Sequence, residues 1–516
     1  MIQINGLTLT HRKDFRVILE DFNLVLNDGD KAVIVGEEGN GKSTLMKWLY
    51  HPLLVDGYME ANGKRILGQE RLGYLPQELS NEDKQKTVYE YFAEDDFFWN
   101  QSPKDLAALA NKFRVETAFF YRDQTMTSLS GGEKVKAQLM KLFMQEPTAL
   151  LLDEPSNDID IHTLELLEKI INGWNHIVLF ISHDETLIER TANMVIHIEQ
   201  VRRKTKAQYT VAKMSYRKYI ENRLHVYERK KQQASNDRRE KKIRDEKYRR
   251  MKQNVENSLE NCPWQSKAKM HTVKAMGKRF AKEDENMTEM PEQEETIFIR
   301  LGDKAAAIPA GKTVIEYKLA KLSILNEKSD DEEKILSRNI FLRVKGAEKI
   351  CIVGKNGVGK TTLIKKIAEE LLGREDICAE YMPQNYEELL NLDMTPVDYL
   401  DKSGDKAART RIMTYLGSLK YTADEMEHPI KELSGGQKAK IFLLKISLSG
   451  ANVLILDEPT RNFSPLSGAV IRKMLREFPG AVISISHDRK YIEEVCDKVY
   501  ELSSSGLHFI GDGDND

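Results

Sequence analysis

Short runs of consecutive apolar residues recur along the chain. Lys31-Ala32-Val33-Ile34-Val35 and Ile177-Val178-Leu179-Phe180-Ile181 carry no polar alternation and read as buried strands. Helix-like stretches such as Leu164 to Ile171 separate such runs. The alternation predicts an α/β fold with a largely parallel sheet in each of two domains, about residues 1–200 and 296–516. Between them the pattern changes. Residues 213–258 contain neither Gly nor Pro and are dominated by Lys, Arg, Glu and Gln, which predicts one long helix. At ~1.5 Å per residue it would extend roughly 70 Å. Pro263 cannot continue a helix, and helical spacing resumes at Met270, Val273 and Phe280. Residues 205–295 are therefore expected to form an antiparallel helical hairpin with its tip near 261–266, followed by an acidic joint. A solvated charge run is the alternative reading of that composition.

The two outer regions repeat one another in order. Gly36-Glu37-Glu38-Gly39-Asn40-Gly41-Lys42-Ser43 recurs as Gly354-Lys355-Asn356-Gly357-Val358-Gly359-Lys360-Thr361. Leu129-Ser130-Gly131-Gly132-Glu133 recurs as Leu433-Ser434-Gly435-Gly436-Gln437, and Leu152-Asp153-Glu154-Pro155 as Leu456-Asp457-Glu458-Pro459. Ser182-His183-Asp184 recurs as Ser486-His487-Asp488.

Composition narrows the class. The 516 residues are 41% apolar and 31% charged, which fits a globular chain with a charged surface. No stretch approaches the ~18 uninterrupted apolar residues of a membrane helix. The first residues do not read as a signal peptide. Cys262, Cys351, Cys378 and Cys496 are far apart and form no CxxC pair, so a reduced, cytoplasmic compartment is expected. The net charge of −3 conceals an imbalance: residues 213–280 hold 21 Lys+Arg against 8 Asp+Glu, or +13, leaving −16 elsewhere. Such a segment points to an anionic partner.

The glycine-rich runs match the P-loop pattern GxxxxGK[ST]. Gly36, Gly39, Gly41, Gly354, Gly357 and Gly359 let backbone N–H groups cradle phosphates. Lys42 and Lys360 reach the terminal phosphates, Thr44 and Thr362 follow at the helix start, and the hydroxyls of Ser43 and Thr361 suit Mg²⁺. Asp153 and Asp457 end apolar strands, as a carboxylate holding the Mg²⁺ shell should. Glu154 and Glu458 follow, placed to act as general bases. His183 and His487 end later strands, where a sensor of the terminal phosphate would sit. Gln77 and Gln384 lie between P-loop and LSGG in each half and suit water and Mg²⁺ contacts.

The LSGG run ahead of LLLDEP resembles the signature of the ATP-binding cassette superfamily, in both halves. That resemblance implies two cassettes meeting head to tail within one monomer, with ATP and Mg²⁺ between them. Site one would combine Lys42, Ser43, Gln77, Asp153, Glu154 and His183 with Ser434, Gly435, Gly436 and Gln437. Site two would combine Lys360, Thr361, Gln384, Asp457, Glu458 and His487 with Ser130, Gly131, Gly132 and Glu133. Two cassettes joined by a charged hairpin resemble the ABC-F subfamily of ribosome-binding proteins. This implies an ATPase whose hairpin enters the exit site of the 70S ribosome and contacts 23S rRNA and P-site tRNA. Arg238, Arg239, Lys241, Lys242, Cys262, Pro263 and Trp264 are the expected RNA contacts. Asp457 to Pro465 resembles the branch that protects ribosomes from antibiotics at the peptidyl-transferase centre. A general ABC-F translation factor and the ATPase subunit of a membrane transporter are the alternatives; the hairpin has no evident task in the latter. Ser464 stands where the family has Asp, and Glu38 where it has Asn, so two unequal ATP sites are expected. Phe15 is the candidate adenine-stacking aromatic of the first half.

Overall fold

The computed structural model describes residues 1–516 except 158, 202–205, 262, 286, 289–300, 302–306, 326–332, 402–403 and 513–516. Each outer half is built on a six-stranded sheet. In the first cassette the order is Leu72–Leu75, Ala149–Asp153, Ile177–Ile181, Lys31–Val35, Met194–Val201 and Lys206–Ala212. The first five strands run parallel and the last pairs antiparallel with its neighbour. The second cassette repeats this with Ala379–Met382, Val453–Asp457, Ala481–Ile485, Lys349–Val353, Lys498–Ser503 and Gly506–Asp512. This is the α/β architecture of two tandem cassettes expected from the sequence.

The apolar runs have a direct cause. In the second cassette Ile350 and Ile352 join one apolar cluster, whereas Cys351 and Val353 join another. Alternate residues face opposite sides of a sheet, and both sides are covered, so no polar alternation is possible. The edge strand Lys206–Ala212 lies past the boundary read at residue 200. Only Ala207 is buried in it, among exposed and half-buried neighbours, so it carries no continuous apolar run. A three-stranded antiparallel sheet, ordered Val17–Leu26, Ile2–His11 and Met59–Ile66, was hidden by its alternation.

Residues Arg217–Gln293 form a separate compact unit. It consists of the helices Tyr216–Asn261 and Pro263–Glu285. Lys241 pairs with Asp284 at 2.8 Å and Arg244 with Glu283 at 3.2 Å. The rings of Tyr248 and Phe280 meet edge to face at 5.7 Å, and Thr288 N donates to Asp237 at 3.0 Å. Partners approach one another in sequence toward Pro263, so the helices are antiparallel and turn there. Cys262 lies outside the described residues, as do the side chains of Pro263 and Trp264.

Two P-loop glycines are demanded by space as well as by backbone. Gly41 has φ +81°, and a Cβ there would lie 2.2 Å from Ile18 Cγ2. A Cβ on Gly36 would lie 2.3 Å from the Ile198 carbonyl oxygen. Gly41→Ala is expected to destabilise the first cassette by about 2 kcal/mol or more in urea unfolding. Gly57→Ala, with no atom within 4 Å of its added Cβ, should change stability by less than about 0.5 kcal/mol.

Candidate functional site

Each P-loop connects a buried strand to a helix: Lys31–Val35 to Lys42–Tyr50, and Lys349–Val353 to Lys360–Leu372. Thr44 and Thr362 lie in the first turns of those helices. Lys42 Nζ donates to the carbonyls of Gly36 and Glu37 at 2.9 and 3.0 Å. Lys360 Nζ donates to those of Gly354 and Lys355 at 2.8 and 3.0 Å. Ser43 Oγ donates to Asp153 at 2.9 Å, and the Thr361 hydroxyl bonds Asp457 in the same way. Burial pushes both aspartates up to about 6, against these hydroxyl bonds. Asp457 Oδ2 is buried and has no hydrogen-bond partner among the described residues. Among the described residues no group of three His, Cys, Asp or Glu could hold a metal. One hydroxyl and one carboxylate, completed by phosphate oxygens, is nevertheless an arrangement that suits Mg²⁺.

Glu154 and Glu458 follow these aspartates in a conformation the sequence does not announce. Both adopt left-handed backbone angles, φ +50° and +54°. For a non-glycine residue this stores about 1–3 kcal/mol and commonly marks a functional site. Their N–H groups are tied to the Ile181 and Ile485 carbonyls at 3.1 and 2.9 Å.

The two glutamates differ in charge. Burial pushes Glu154 up, but the charge and hydrogen bond of His183 outweigh it and hold the carboxyl at about 2. His183 Nε2 lies 3.1 Å from Glu154 Oε1, and Gln77 Nε2 donates to the same carboxylate at 3.0 Å. Burial lowers the His183 pKa, yet the glutamate charge raises it overall. At the other site burial and the Asp457 charge lift Glu458 to about 8. Burial and Lys360 depress His487 to about 4, and His487 stands 3.8 Å from Glu458. Site one therefore favours the charged forms of its glutamate and histidine, whereas site two favours the neutral forms.

The cassettes face each other so that each P-loop meets the other's LSGG helix. A cavity of about 740 Å³ is lined by Ser130, Gly131 and Glu133 on one side and Lys360, Thr361, Thr362, Gln384, Glu458 and His487 on the other. Asn356, Gly357, Gly359 and Asp457 also line it. Gly132 is packed instead against Thr163, where a Cβ would lie 2.8 Å from Oγ1. Glu133 and Gln437 act as helix caps: their side chains accept from the N–H of Ser130 at 3.1 Å and of Ser434 at 3.0 Å.

Across site one the contacts are direct. Gly436 N donates to Glu38 Oε2 at 2.6 Å. Ser464 and Ser467 each donate a hydroxyl to Glu37 Oε1 at 2.5 Å, and Lys440 lies 3.6 Å from Glu37. Burial raises the Glu37 pKa, but Lys440 and the two hydroxyls bring it below the usual value. Ser464 itself brings no carboxylate to this interface; the bridging carboxylate sits on the opposite loop, at Glu37. His183 Nδ1 donates to the Phe463 carbonyl at 2.6 Å.

A second set of interface residues was not found in the sequence. Arg472, 3% exposed, reaches Glu185 at 2.5 Å and Glu494 at 2.8 Å. Arg489 reaches Glu168 at 2.6 Å and Asp184 at 3.0 Å. In the hairpin, Arg238, Arg239 and Lys242 are exposed, while Lys241 is engaged by Asp284.

Two P-loop α/β domains, each presenting an LSGG helix to the other's loop, define a tandem pair of ATP-binding cassettes. Residues 19–157 and 337–461, just over half of the chain, match the family model described as ABC transporter, and the chain belongs to that family. It is 27% identical over 569 residues to the putative ATP-binding protein YdiF of Bacillus subtilis (strain 168), covering 100% of this chain and 82% of that protein. It is 27% identical over 512 residues to the ribosome protection protein VmlR of the same organism, covering 95% and 85%. ABC transporter F family member 5 of Arabidopsis thaliana is 27% identical over 401 residues, covering 76% of this chain and 54% of that protein. Among solved structures, a complex of the archaeal ribosome recycling factor aABCE1 with the stalk protein aP1 shares the fold. Its TM-score is 0.57 at 17% identity, covering 98% of this chain and 90% of that one. Among the described residues no helix is long and apolar enough to cross a membrane.

Reversing one interface charge tests the cassette contact. Arg472→Glu is expected to cost about 3 kcal/mol or more in urea unfolding, because it sets a buried carboxylate against the largely buried Glu185 and the more exposed Glu494. Adding Glu185→Arg should recover part of that loss, read as a coupling energy in a double-mutant cycle.

Proposed function

We propose that the chain is an ABC-F ATPase that acts in the cytoplasm on the ribosome. In this reading its hairpin contacts 23S rRNA and P-site tRNA, and it protects the peptidyl-transferase centre from antibiotics. The observation that carries the ribosomal part is the basic hairpin, +13 over residues 213–280, joining two complete P-loop cassettes. A transporter ATPase has no evident use for it. Similarity to VmlR over 95% of the chain supports the protective role.

The site residues suit ATP with Mg²⁺. Gly36, Gly41, Gly354 and Gly359 leave no room for a Cβ, the 740 Å³ cavity has the size of a small-molecule site, and Asp457 has an unsatisfied oxygen beside Thr361. In site two Lys360 and the loop N–H groups would bind the phosphates, and Thr361, Gln384 and Asp457 would hold Mg²⁺. His487 would face the terminal phosphate across from Ser130 and Gly131. Glu458 would accept the proton of the attacking water. The bound cation supplies neutralisation of phosphate charge and favours the ionised form of Glu458.

Changing Glu154 and Glu458 together to Gln should preserve ATP binding and lower turnover at least about 100-fold. The double mutant should cosediment with 70S ribosomes in the presence of ATP. Turnover at the parental rate would remove the general-base assignment. Replacing Arg238, Arg239 and Lys242 with Gln should weaken ribosome binding and reduce its log–log salt slope by roughly 2. Unchanged binding and slope would place the RNA contact elsewhere. Expression in a sensitive host separates protection from a general translation role. Wild type should confer tolerance to lincosamides, streptogramin A compounds or pleuromutilins, and Trp264→Ala should lower it. No tolerance to any of the three leaves a general translation factor.

A further inference from the structure

We infer that site one selects a nucleoside diphosphate, with Glu38 supplying the negative charge that a third phosphate would bring. The inference rests on the nucleotide-binding reading above and adds which ligand each site prefers.

Glu38 is the second residue of the first P-loop after Gly36, and its carboxylate crosses the cassette interface. Oε2 accepts from the Gly436 N–H at 2.6 Å, inside the first turn of the helix Gly435–Ser449. Added Cβ atoms on Gly435 and Gly436 would each lie within 3.5 Å of a Glu38 carboxylate oxygen, so the carboxylate rests directly on that turn. The N–H groups that open a helix have no partner within the helix and favour an anion. Here the anion is a side chain of the protein.

The groups around Glu38 are engaged as well. His183 presents one ring nitrogen to the Phe463 carbonyl at 2.6 Å and the other to Glu154 at 3.1 Å, and it feels the Glu38 charge. Glu37 is tied to Ser464 and Ser467. A nucleotide on the first P-loop must direct its last phosphate toward Gly436. A third phosphate would meet Glu38 at close range with Glu37 alongside, and like charges placed together are strongly disfavoured. A diphosphate stops short of that position.

Site two lacks this device. The residues corresponding to Glu37 and Glu38 are Lys355 and Asn356, a cation and a neutral amide. The start of the facing helix, at Ser130 and Gly131, borders an open cavity that also contains Asn356. His487 Nδ1 is buried with no hydrogen-bond partner among the described residues. A third phosphate has room and donors there.

The test is calorimetric titration of the full chain with Mg²⁺ and either ATP or ADP. Glu154→Gln suppresses hydrolysis, and Lys360→Ala silences site two. In that background ADP is expected to bind at least about tenfold more tightly than ATP. Adding Glu38→Asn should reverse the order, and Glu38→Gln, which keeps the size and removes the charge, should bring ATP at least level with ADP. Tighter binding of ATP than ADP with Glu38 in place would overturn the inference. So would an ADP-to-ATP ratio unmoved by both substitutions, or the binding of neither nucleotide at site one. The companion chain carrying Lys42→Ala, with site two intact, separates the failures. If it binds ATP, the nucleotide-binding reading stands whatever site one does; if it binds neither nucleotide, that reading falls as well.

Discussion

Two guanidinium groups at the interface, Arg472 buried and Arg489 partly so, fix how the cassettes meet. Arg472 reaches Glu185, and Arg489 reaches Glu168 and Asp184. From the LSGG run onward the motif residues of the two halves are offset by 304 positions, as in Ser130 and Ser434, Glu154 and Glu458 or His183 and His487. By the same offset Arg472 corresponds to Glu168, and Arg489 to Glu185. The second cassette therefore supplies the cations Arg472 and Arg489 of a pseudo-symmetric contact, and the first supplies the anions Glu185, Glu168 and Asp184. Two copies of the first cassette would oppose Glu168 to Glu185, and two copies of the second would oppose the arginines. Buried ion pairs add little net stability once desolvation is counted. Their consequence is selection of the partner and the register. The planar, multiply donating guanidinium suits that task better than an ammonium would.

That register decides what each P-loop faces. It sets Lys360 opposite Ser130 around a cavity, and Glu38 against Gly436 with no gap. The same asymmetry appears in the titrating groups. Glu154 is held at about 2 and the His183 pKa is raised beside the closed loop, whereas Glu458 is held at about 8 and His487 at about 4 beside the open one. Glu37 places a carboxylate across the interface from the loop before the helix Pro465–Arg476, within reach of the hydroxyls of Ser464 and Ser467.

The central strands were legible because both faces of each sheet are covered, which leaves unbroken apolar runs such as Ile177–Ile181. The P-loops, LSGG helices and strand-end carboxylates were legible because local backbone geometry fixes their spacing. The capping roles of Glu133 and Gln437 follow from an S-x-x-E/Q pattern that sequence alone could have disclosed. The contacts of Arg472 and Glu37 could not be read that way. Arg472 and Glu185 are 287 residues apart, and Ser464 and Glu37 are 427 apart. No local periodicity records such a meeting. Charge counting has a similar limit: Lys241 belongs to the basic excess of the hairpin, yet its ammonium is committed to Asp284.

Closure of a cassette pair must desolvate two phosphate-binding surfaces at once. At site one the protein's own carboxylates already neutralise the facing helix start and hydroxyls, so little of that cost remains for a ligand to offset. At site two the unpaired oxygen of Asp457 and the unpartnered nitrogen of His487 are buried without equivalent compensation among the described residues. Unmet polar groups in a low-dielectric site are costly until something satisfies them. A ligand that supplies negative oxygens and a cation would relieve both together. Of the two sites, the second is therefore the one whose occupancy most changes the free energy of holding the cassettes together.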